Sequence, residues 1–235
     1  MMRISILTLF PEMFRGPFDV SIIGRAQKKH AVDIHMVNLR DYATGAYKSV
    51  DDHPYGGGIG MILRVDVVDR AISAIKKTDL SQKIHTVLLD PSGVPYKEKD
   101  AQRLTTYTHL ILVCAHYEGV DERIRGLVDE EISVGDYILT GGELPAMIVT
   151  DSIVRLIPGV LTKKEATVDE SFGPSGILEY PQYTRPDTYK KQKVPSILLS
   201  GNHAEIHSWR KREAQKRTKI RRPDLLFREN ENHDR

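Results

Sequence analysis

Three stretches rich in glycine and polar residues each follow an apolar segment that is predicted to be a β-strand. They cover residues 90–93, 116–119 and 135–145. In open α/β sheets, ligands bind at the carboxyl ends of the strands, where loops expose backbone N–H and C=O groups. Glycine at such positions leaves room for a flat ring to approach the backbone. One such loop would be weak evidence, but three together predict a small-molecule pocket.

A fourth glycine cluster, residues 56–60, follows no predicted strand. It contains a Gly-x-Gly-x-Gly string, but it lacks the strand–turn–helix context and the later ribose-binding acid of a dinucleotide-binding fold. We therefore expect a loop that closes on a substrate, with Asp51, Asp52, His53 and Tyr55 beside it.

Several common catalytic motifs are absent from the sequence. There is no Gly-x-x-x-x-Gly-Lys-Ser/Thr phosphate loop and no His-Glu-x-x-His zinc motif. His203 and His207 have the i, i+4 spacing of zinc-binding helices, but no third ligand accompanies them, so we expect them to face solvent or RNA. Cys114 is the only cysteine. This excludes intramolecular disulfides and multi-cysteine zinc sites, and it is typical of a reducing cytoplasm.

The composition is that of a globular chain with a core: 235 residues, of which 40% are hydrophobic and 28% charged. No apolar run reaches the roughly 18 residues that would cross a membrane. The run 4–10 ends at Pro11 and Glu12 without a cleavage site, so we expect a buried strand and no signal peptide. The net charge is +2, but the charges are distributed unevenly along the chain, because residues 185–222 contain 12 Lys or Arg and 3 acids. Such a block favours a polyanionic partner; the alternative is a solvated helix face.

Short apolar runs alternate with segments of helical spacing. The predicted strands are 4–10, 33–39, 84–89, 109–114 and 131–139, and the predicted helices are 22–29, 67–76, 98–107, 122–128 and 145–156. Nearly continuous Ile, Val and Leu are typical of parallel strands buried on both faces, so the pattern predicts an α/β fold. After Gly159 the periodicity weakens. A basic helix over 204–217, capped by Asn202, and a short helix from Pro223 predict a small helical domain.

Five segments resemble one family closely: residues 51–61, 117–123, 135–146, 183–186 and 199–206. On these segments the sequence resembles the bacterial tRNA (guanine-N1)-methyltransferases of the SPOUT class, over residues 4–226. The resemblance implies an α/β fold with a mostly parallel sheet and a C-terminal trefoil knot, plus a small all-helical C-terminal domain. Because threaded chains are rare, the knot rests on the resemblance alone.

The same resemblance implies the domain roles and the partners. Residues 1–160 would bind S-adenosyl-L-methionine, 161–175 would form an interdomain linker and active-site loop, and 176–235 would bind the anticodon stem-loop of tRNA. The methyl group would go to N1 of guanine 37. The enzyme would be a cytoplasmic homodimer with its active site shared between subunits. Glu118 would contact either the amino end of the methyl donor or a magnesium ion; no protein metal site is assigned.

The reaction needs a base and a cation. Guanine N1 becomes nucleophilic when a carboxylate removes its proton, and a cation near O6 stabilises the charge that develops. The resemblance assigns the cation to Arg155, although Asp151 and Arg155 at i, i+4 could instead form a surface ion pair. The general base falls on Glu170 by position or on Asp169 by side-chain length, and the sequence leaves both open.

Further site residues are carried over from the resemblance one by one. Those implied for the methyl donor are Leu88, Leu89, Pro91, Ala115, His116, Tyr117, Glu118, Gly119, Ser133, Val134, Gly135, Tyr137, Leu139, Gly141, Gly142 and Pro145. Those implied for the tRNA are Asp51, Tyr55, Gly58, Arg185, His203 and Arg217. The chain departs from the family pattern at Ala115-His116, where Gly-Arg is usual, and at Ile59, where proline is usual. Neither departure removes a group that the reaction requires.

The sequence also permits other functions. They are a related methyltransferase acting on rRNA, a non-catalytic RNA-binding protein of the same fold, and more remotely an NAD-dependent enzyme. The presence of Arg155 and of two adjacent carboxylates argues against the non-catalytic alternative.

Overall fold

The structure is a computed structural model that describes residues 1–79, 83–162, 167 and 169–226. The chain divides into two compact units, Met1–Thr162 and Lys163–Arg235, which we describe separately. Residues 163–166 and 168 of the predicted linker, and residues 227–235 of the predicted C-terminal domain, lie outside the described residues. The domain roles implied by the resemblance stay predictions.

A parallel sheet with helices forms the first unit. Its described strands are β1 (Met2–Thr8), β2 (Val32–Asn38), β3 (Asp51–Asp52), β4 (Ile62–Leu63), β5 (Ile84–Pro95), β6 (His109–Cys114) and β7 (Glu130–Ser133), and its α-helices are α1 (Ser21–Lys28), α2 (Val65–Thr78), α3 (Glu98–Leu104) and α4 (Glu143–Val154). Five strands pair in parallel in the order β2-β1-β6-β5-β7, while β3 and β4 form an antiparallel ladder. The predicted α/β class is confirmed.

Apolar side chains cover both faces of this sheet. One layer joins strand residues to α4 and includes Ile4, Ile6, Leu110, Leu112, Ala146, Val149 and Ile153. The other joins strand residues to α2 and includes Leu7, Ile111, Val113, Val67, Val68, Ala71 and Ile72. Successive side chains of a strand point to opposite faces. The nearly continuous apolar runs therefore fill both layers at once, as the sequence predicts.

The predicted strand 131–139 is wrong in its second half. Strand β7 ends at Ser133, whose hydroxyl accepts a hydrogen bond from the backbone N–H of Gly135 at 3.3 Å and so closes a turn. The side chain of Ile138 is 83% exposed. Apolar residues beyond Ser133 therefore form a loop, in which only Val134 still packs against the core, although they continue the strand-like composition.

Two other predicted elements differ in type. Residues 90–93, predicted as a loop, lie inside β5, where the pairing register shifts so that Leu89 and Val94 both lie opposite Ile132. The extra residues form a bulge that pushes the strand edge outward. The predicted helix 122–128 is a 3₁₀ helix, Glu122–Leu127.

The second unit contains α5 (His203–Arg221), the 3₁₀ helices Ser196–Leu199 and Pro223–Leu225, and a hairpin of β8 (Thr188–Tyr189) and β9 (Gln192–Lys193). Asn202 caps α5, accepting a hydrogen bond from the N–H of Glu205 at 3.3 Å, as predicted. An all-helical second unit is wrong for its described part because of the hairpin. Its two turn residues both have positive φ, the geometry that suits two-residue hairpins.

None of the helices in the described ranges is long and apolar enough to cross a membrane.

A buried polar cluster lies at the amino ends of the central strands. His109 is 1% exposed; its Nε2 lies 2.9 Å from Ser5 Oγ, and its Nδ1 is hydrogen-bonded to Asp79. The neutral ring satisfies both partners, donating to the carboxylate and accepting from the hydroxyl. Burial lowers the pKa of His109, and the hydrogen bond to Asp79 opposes that shift only in part.

This cluster predicts how stability depends on pH. The unfolded chain takes up a proton on His109 as pH falls through about 6.5, whereas the buried ring resists it, so the free energy of unfolding should decrease by up to about 1.4 kcal/mol per pH unit below that point. Urea denaturation between pH 7.5 and 5.5, followed by circular dichroism, would show this slope. His109→Gln should reduce it, while His53→Gln, at an exposed site, should not. Equal slopes in the wild type and His109→Gln would contradict the assignment.

Candidate functional site

A cavity of about 570 Å³ opens at the carboxyl edge of the sheet, between the ends of β5, β6 and β7. Its volume lies within the range of small-molecule sites. Fifteen of the residues implied for the methyl donor line it: Leu89, Pro91, Ala115, His116, Tyr117, Glu118, Gly119, Ser133, Val134, Gly135, Tyr137, Leu139, Gly141, Gly142 and Pro145. The three loops that the sequence singled out thus meet at one place.

Leu88 does not belong to the cavity wall. It is fully buried in the apolar layer on the α2 side of the sheet. Its neighbour Leu89 does line the cavity, because adjacent strand residues point to opposite faces. The side chain of Leu88 therefore lies away from the cavity, and its implied part in binding the methyl donor stays a prediction.

Seven further residues line the cavity although they were not assigned to the methyl donor: Asp90, Ser92, Val120, Arg125, Ile132, Ile138 and Thr140. Four of them lie in the loops 90–93 and 135–145 that the sequence predicted to form a pocket. Arg125 is different, because it lies on the 3₁₀ helix Glu122–Leu127 and no local pattern relates it to the loops.

The loops after β6 and β7 are joined by backbone contacts. His116 and Gly141 form an isolated antiparallel bridge, and the N–H of Gly142 donates to the carbonyl of Ala115 at 2.7 Å. A Cβ added at Gly142 would lie 2.6 Å from Cys114 Cα and 2.8 Å from the Ala115 nitrogen. These neighbours are backbone atoms that cannot rotate away, so the approach requires glycine.

The other glycine cluster lies against the same wall. Strand β4 joins the loop after β6: Leu63 N–H donates to the carbonyl of Gly119, and Glu118 N–H donates to that of Met61, both at 3.0 Å. Gly60 has φ of 86°, and a Cβ there would lie 2.3 Å from Glu118 Cγ. The structure thus brings the base of this loop to the cavity, while Tyr55 within the loop is fully exposed.

Two more residues of this region were implied for the tRNA, Asp51 and Gly58. Asp51 pairs with Leu63 in the antiparallel ladder and interacts with Tyr117, whose pKa is raised by burial first and by Asp51 second. Gly58 is exposed in the loop, with φ of 137°. Asp51 therefore lies beside Tyr117 of the cavity wall, and Gly58 lies at the outer part of the loop.

Arg125 is held as a fixed cation in the cavity wall. Its Nε donates to Glu122 at 2.9 Å, its Nη2 lies 3.6 Å from Asp90, and its Nη1 is paired with Glu131. The hydrogen bond to Glu122, followed by the charge of Asp90, raises the pKa of Arg125. The group fixes the position of Asp90 at the bulge of β5.

The residues implied for catalysis are distributed over both units. Arg155 follows α4 as its C-terminal cap residue and is half-buried. Asp169 is exposed and Glu170 is partly buried, and the Glu170 carbonyl accepts from the N–H of Gly173 at 3.1 Å. Their catalytic roles stay predictions.

Three residues implied for the tRNA lie in the second unit. Arg185 and His203 are exposed. Arg217 is partly buried, and its Nη1 donates to the carbonyl of Glu179 at 3.4 Å. All three belong to the basic block that the charge distribution identified.

Metal binding has no support in the described part of the chain, where no group of three or more His, Cys, Asp or Glu side chains could hold a metal ion. A contact between Glu118 and a magnesium ion stays a prediction.

An open parallel sheet with a ligand cavity at its carboxyl edge defines a small-molecule-binding α/β protein. A family model described as tRNA (Guanine-1)-methyltransferase TrmD matches residues 2–228, and the chain belongs to this family. It is 52% identical to a tRNA (guanine-N(1)-)-methyltransferase of Dictyoglomus turgidum, over 96% of this chain and 90% of the relative. A protein of the same name from Geobacillus kaustophilus is 54% identical, over 96% and 91%.

Substitution of Gly142 tests the close approach between the two loops. Gly142→Ala should lower the free energy of unfolding by about 1–3 kcal/mol, because the backbone of Cys114 and Ala115 must shift. Gly126→Ala is the matched control, since nothing lies within 4 Å of a Cβ at that site, and it should change stability by less than about 0.5 kcal/mol. Equal stability of the two variants in urea denaturation would show that the loops adjust freely.

Proposed function

We propose that this protein transfers a methyl group from S-adenosyl-L-methionine to N1 of guanine 37 in tRNA. The observation that carries the proposal is the cavity, which gathers three separate loops of a chain whose relatives are named tRNA (guanine-N(1)-)-methyltransferases. A cytoplasmic location, where tRNA is available, is part of the proposal.

The cavity wall suits the methyl donor. Backbone at Gly135, Gly141 and Gly142 forms part of the wall, and Leu89, Leu139 and Pro145 supply apolar surface. When bound, the sulfonium supplies a methyl group already activated for displacement. The remaining task of the protein is to hold this group in line with the acceptor nitrogen.

The acceptor requires an acid–base group and a cation. One of the carboxylates of Asp169 and Glu170 takes the N1 proton, and Arg155 stabilises the negative charge that develops on O6. Asp169 is exposed and Glu170 is partly accessible, so each of them is a candidate for the base. A stabilising cation of this kind is worth about 10²–10³ in turnover.

Helix α5 supports binding of RNA by the second unit. Of its 19 residues only Ala214 and Thr218 are buried, and the remainder includes seven Lys or Arg and two acids. Within this helix, the guanidinium of Arg210 packs over the ring of Tyr180, 4.7 Å from its centroid. Cations next to aromatic rings are the combination that binds single-stranded nucleic acid, which suits an anticodon loop.

Helix α4 supports a homodimer. It carries apolar residues on all sides, a pattern typical of helices buried on all sides, yet Leu144 is 46% exposed and Ile148 is 47% exposed. Met13, on the neighbouring 3₁₀ helix Pro11–Phe14, is 40% exposed. A second copy of the chain would cover this surface and complete the site.

A trefoil knot is also part of the proposal. The loop after β7 returns to pair with the loop after β6 at His116 and Gly141 before α4 begins. This return of the chain is the feature that supports threading at the carboxyl edge.

Methyl transfer to defined transcripts tests the function. A tRNA transcript with guanine at position 37 should accept labelled methyl groups, and the same transcript with adenine there should not. Arg155→Ala should lower kcat by about 10²–10³ with little change in donor affinity. Only one of Asp169→Asn and Glu170→Gln should be severe, at about 10²–10⁴, whereas exposed Arg25→Ala should be neutral. Methylation of rRNA alone, or of neither transcript, would overturn the proposal.

Oligomeric state tests the role of α4. Ile148→Asp places a charge in the proposed subunit interface, so it should convert a dimer to a monomer and lower activity, because the site is shared. Val20→Asp, at another exposed apolar position, should remain dimeric. Light scattering coupled to size exclusion measures both. A wild-type monomer, or an Ile148→Asp dimer, would contradict the interface.

A further inference from the structure

Glu143 is a buried carboxylate that the proposed reaction does not use. It is the first residue of α4 and is 1% exposed. Its Oε1 accepts a hydrogen bond from Thr8 Oγ1 at 2.7 Å, and Thr8 Oγ1 in turn accepts from the N–H of Phe10 at 2.9 Å. Burying a carboxylate is unfavourable unless its oxygens are partnered. The contact of the second carboxylate oxygen, Oε2, therefore indicates the role of Glu143.

That second oxygen faces a histidine of the cavity wall. Glu143 Oε2 lies 3.7 Å from Nδ1 of His116, and no hydrogen-bond partner is found for this buried Nδ1 among the described residues. The gap is too small for a bridging water, and a small rotation of the ring would close it to hydrogen-bond length. The two groups are placed to pair with each other.

The surroundings hold the ring in this orientation. The His116 ring lies against Phe10, with centroids 4.9 Å apart, and edge-on to Tyr117 at 5.0 Å. A Cβ at Gly141 would lie 2.4 Å from both Glu143 Oε2 and His116 Nδ1. The absence of a side chain at Gly141 is therefore what allows the carboxylate and the imidazole to meet.

We propose that Glu143 is a positioning residue that fixes the tautomer of His116. The Nδ1–H donates to Glu143, so Nε2 keeps its lone pair and is left to the cavity that His116 lines. There it accepts a hydrogen bond from an amino or hydroxyl group of the bound methyl donor. A carboxylate behind a histidine selects which nitrogen is free in just this way. The inference rests on the proposed function, because it takes S-adenosylmethionine as the occupant of the cavity.

Donor affinity gives the first test. Glu143→Gln should weaken binding of S-adenosylmethionine about 10-fold in calorimetry, the scale of one hydrogen bond to a well-placed group. Glu98→Gln is the matched control, since Glu98 is the first residue of α3 and does not line the cavity, and its affinity should equal that of the wild type. In a His116→Phe background, Glu143→Gln should have no further effect on affinity. Additive effects would show that Glu143 acts on the fold and not through His116.

The tautomer gives a second test that needs no ligand and no variant. Nitrogen chemical shifts of His116, recorded where the ring is neutral, should show a protonated Nδ1 and an unprotonated Nε2. The reverse tautomer would overturn the inference even if Glu143→Gln fails to fold. A wild-type protein with the expected tautomer but no affinity for S-adenosylmethionine would instead refute the proposed function and leave the pairing intact.

Discussion

The close backbone approach between the loop after β7 and the end of β6 is the constraint on which the cavity depends. Gly142 lies against Cys114 and Ala115 with no space for a side chain, and its N–H donates to the Ala115 carbonyl. This contact joins two of the loops that line the cavity. The same contact sets where α4 begins, and so places Glu143 beside His116.

The central sheet supplies the rigidity that such an approach requires. Its strands are buried on both faces by apolar side chains, and close-packed protein interiors resist small displacements. The loops at the carboxyl edge therefore start from fixed points. At the opposite edge, polar groups are buried instead, and the pairing of His109 with Ser5 and Asp79 satisfies them. One edge of the sheet thus holds a cavity, and the other holds a closed hydrogen-bonded cluster.

Charge is divided between the two units in a way that suits a nucleic-acid substrate. The cavity wall contains acidic groups together with a fully paired cation, Arg125. The cations of α5 lie on a helix that buries only two residues. In the proposed function these cations contact tRNA phosphates, which provide affinity and little base selectivity. Selection of the guanine is then assigned to the cavity and the groups around it.

The sequence by itself determined the α/β class, the strands of the central sheet up to Ser133, the cap of α5 and the three loops that meet at the cavity. Local composition is the reason: apolar runs indicate buried strands, an Asn before a helix indicates its cap, and glycine-rich loops after strands indicate a pocket. The fifteen cavity residues were named one by one only through the resemblance to the methyltransferase family. The sequence also erred where composition is ambiguous, because the apolar residues beyond Ser133 form a loop although they resemble a strand. Only the tertiary structure decided that Arg125 lies in the cavity wall and that Glu143 faces His116. The spacing of these residues along the chain follows no helix or strand period, so the sequence does not indicate that they meet. Their distance in space is set by the packing of α4 and of the 3₁₀ helix Glu122–Leu127 against the sheet.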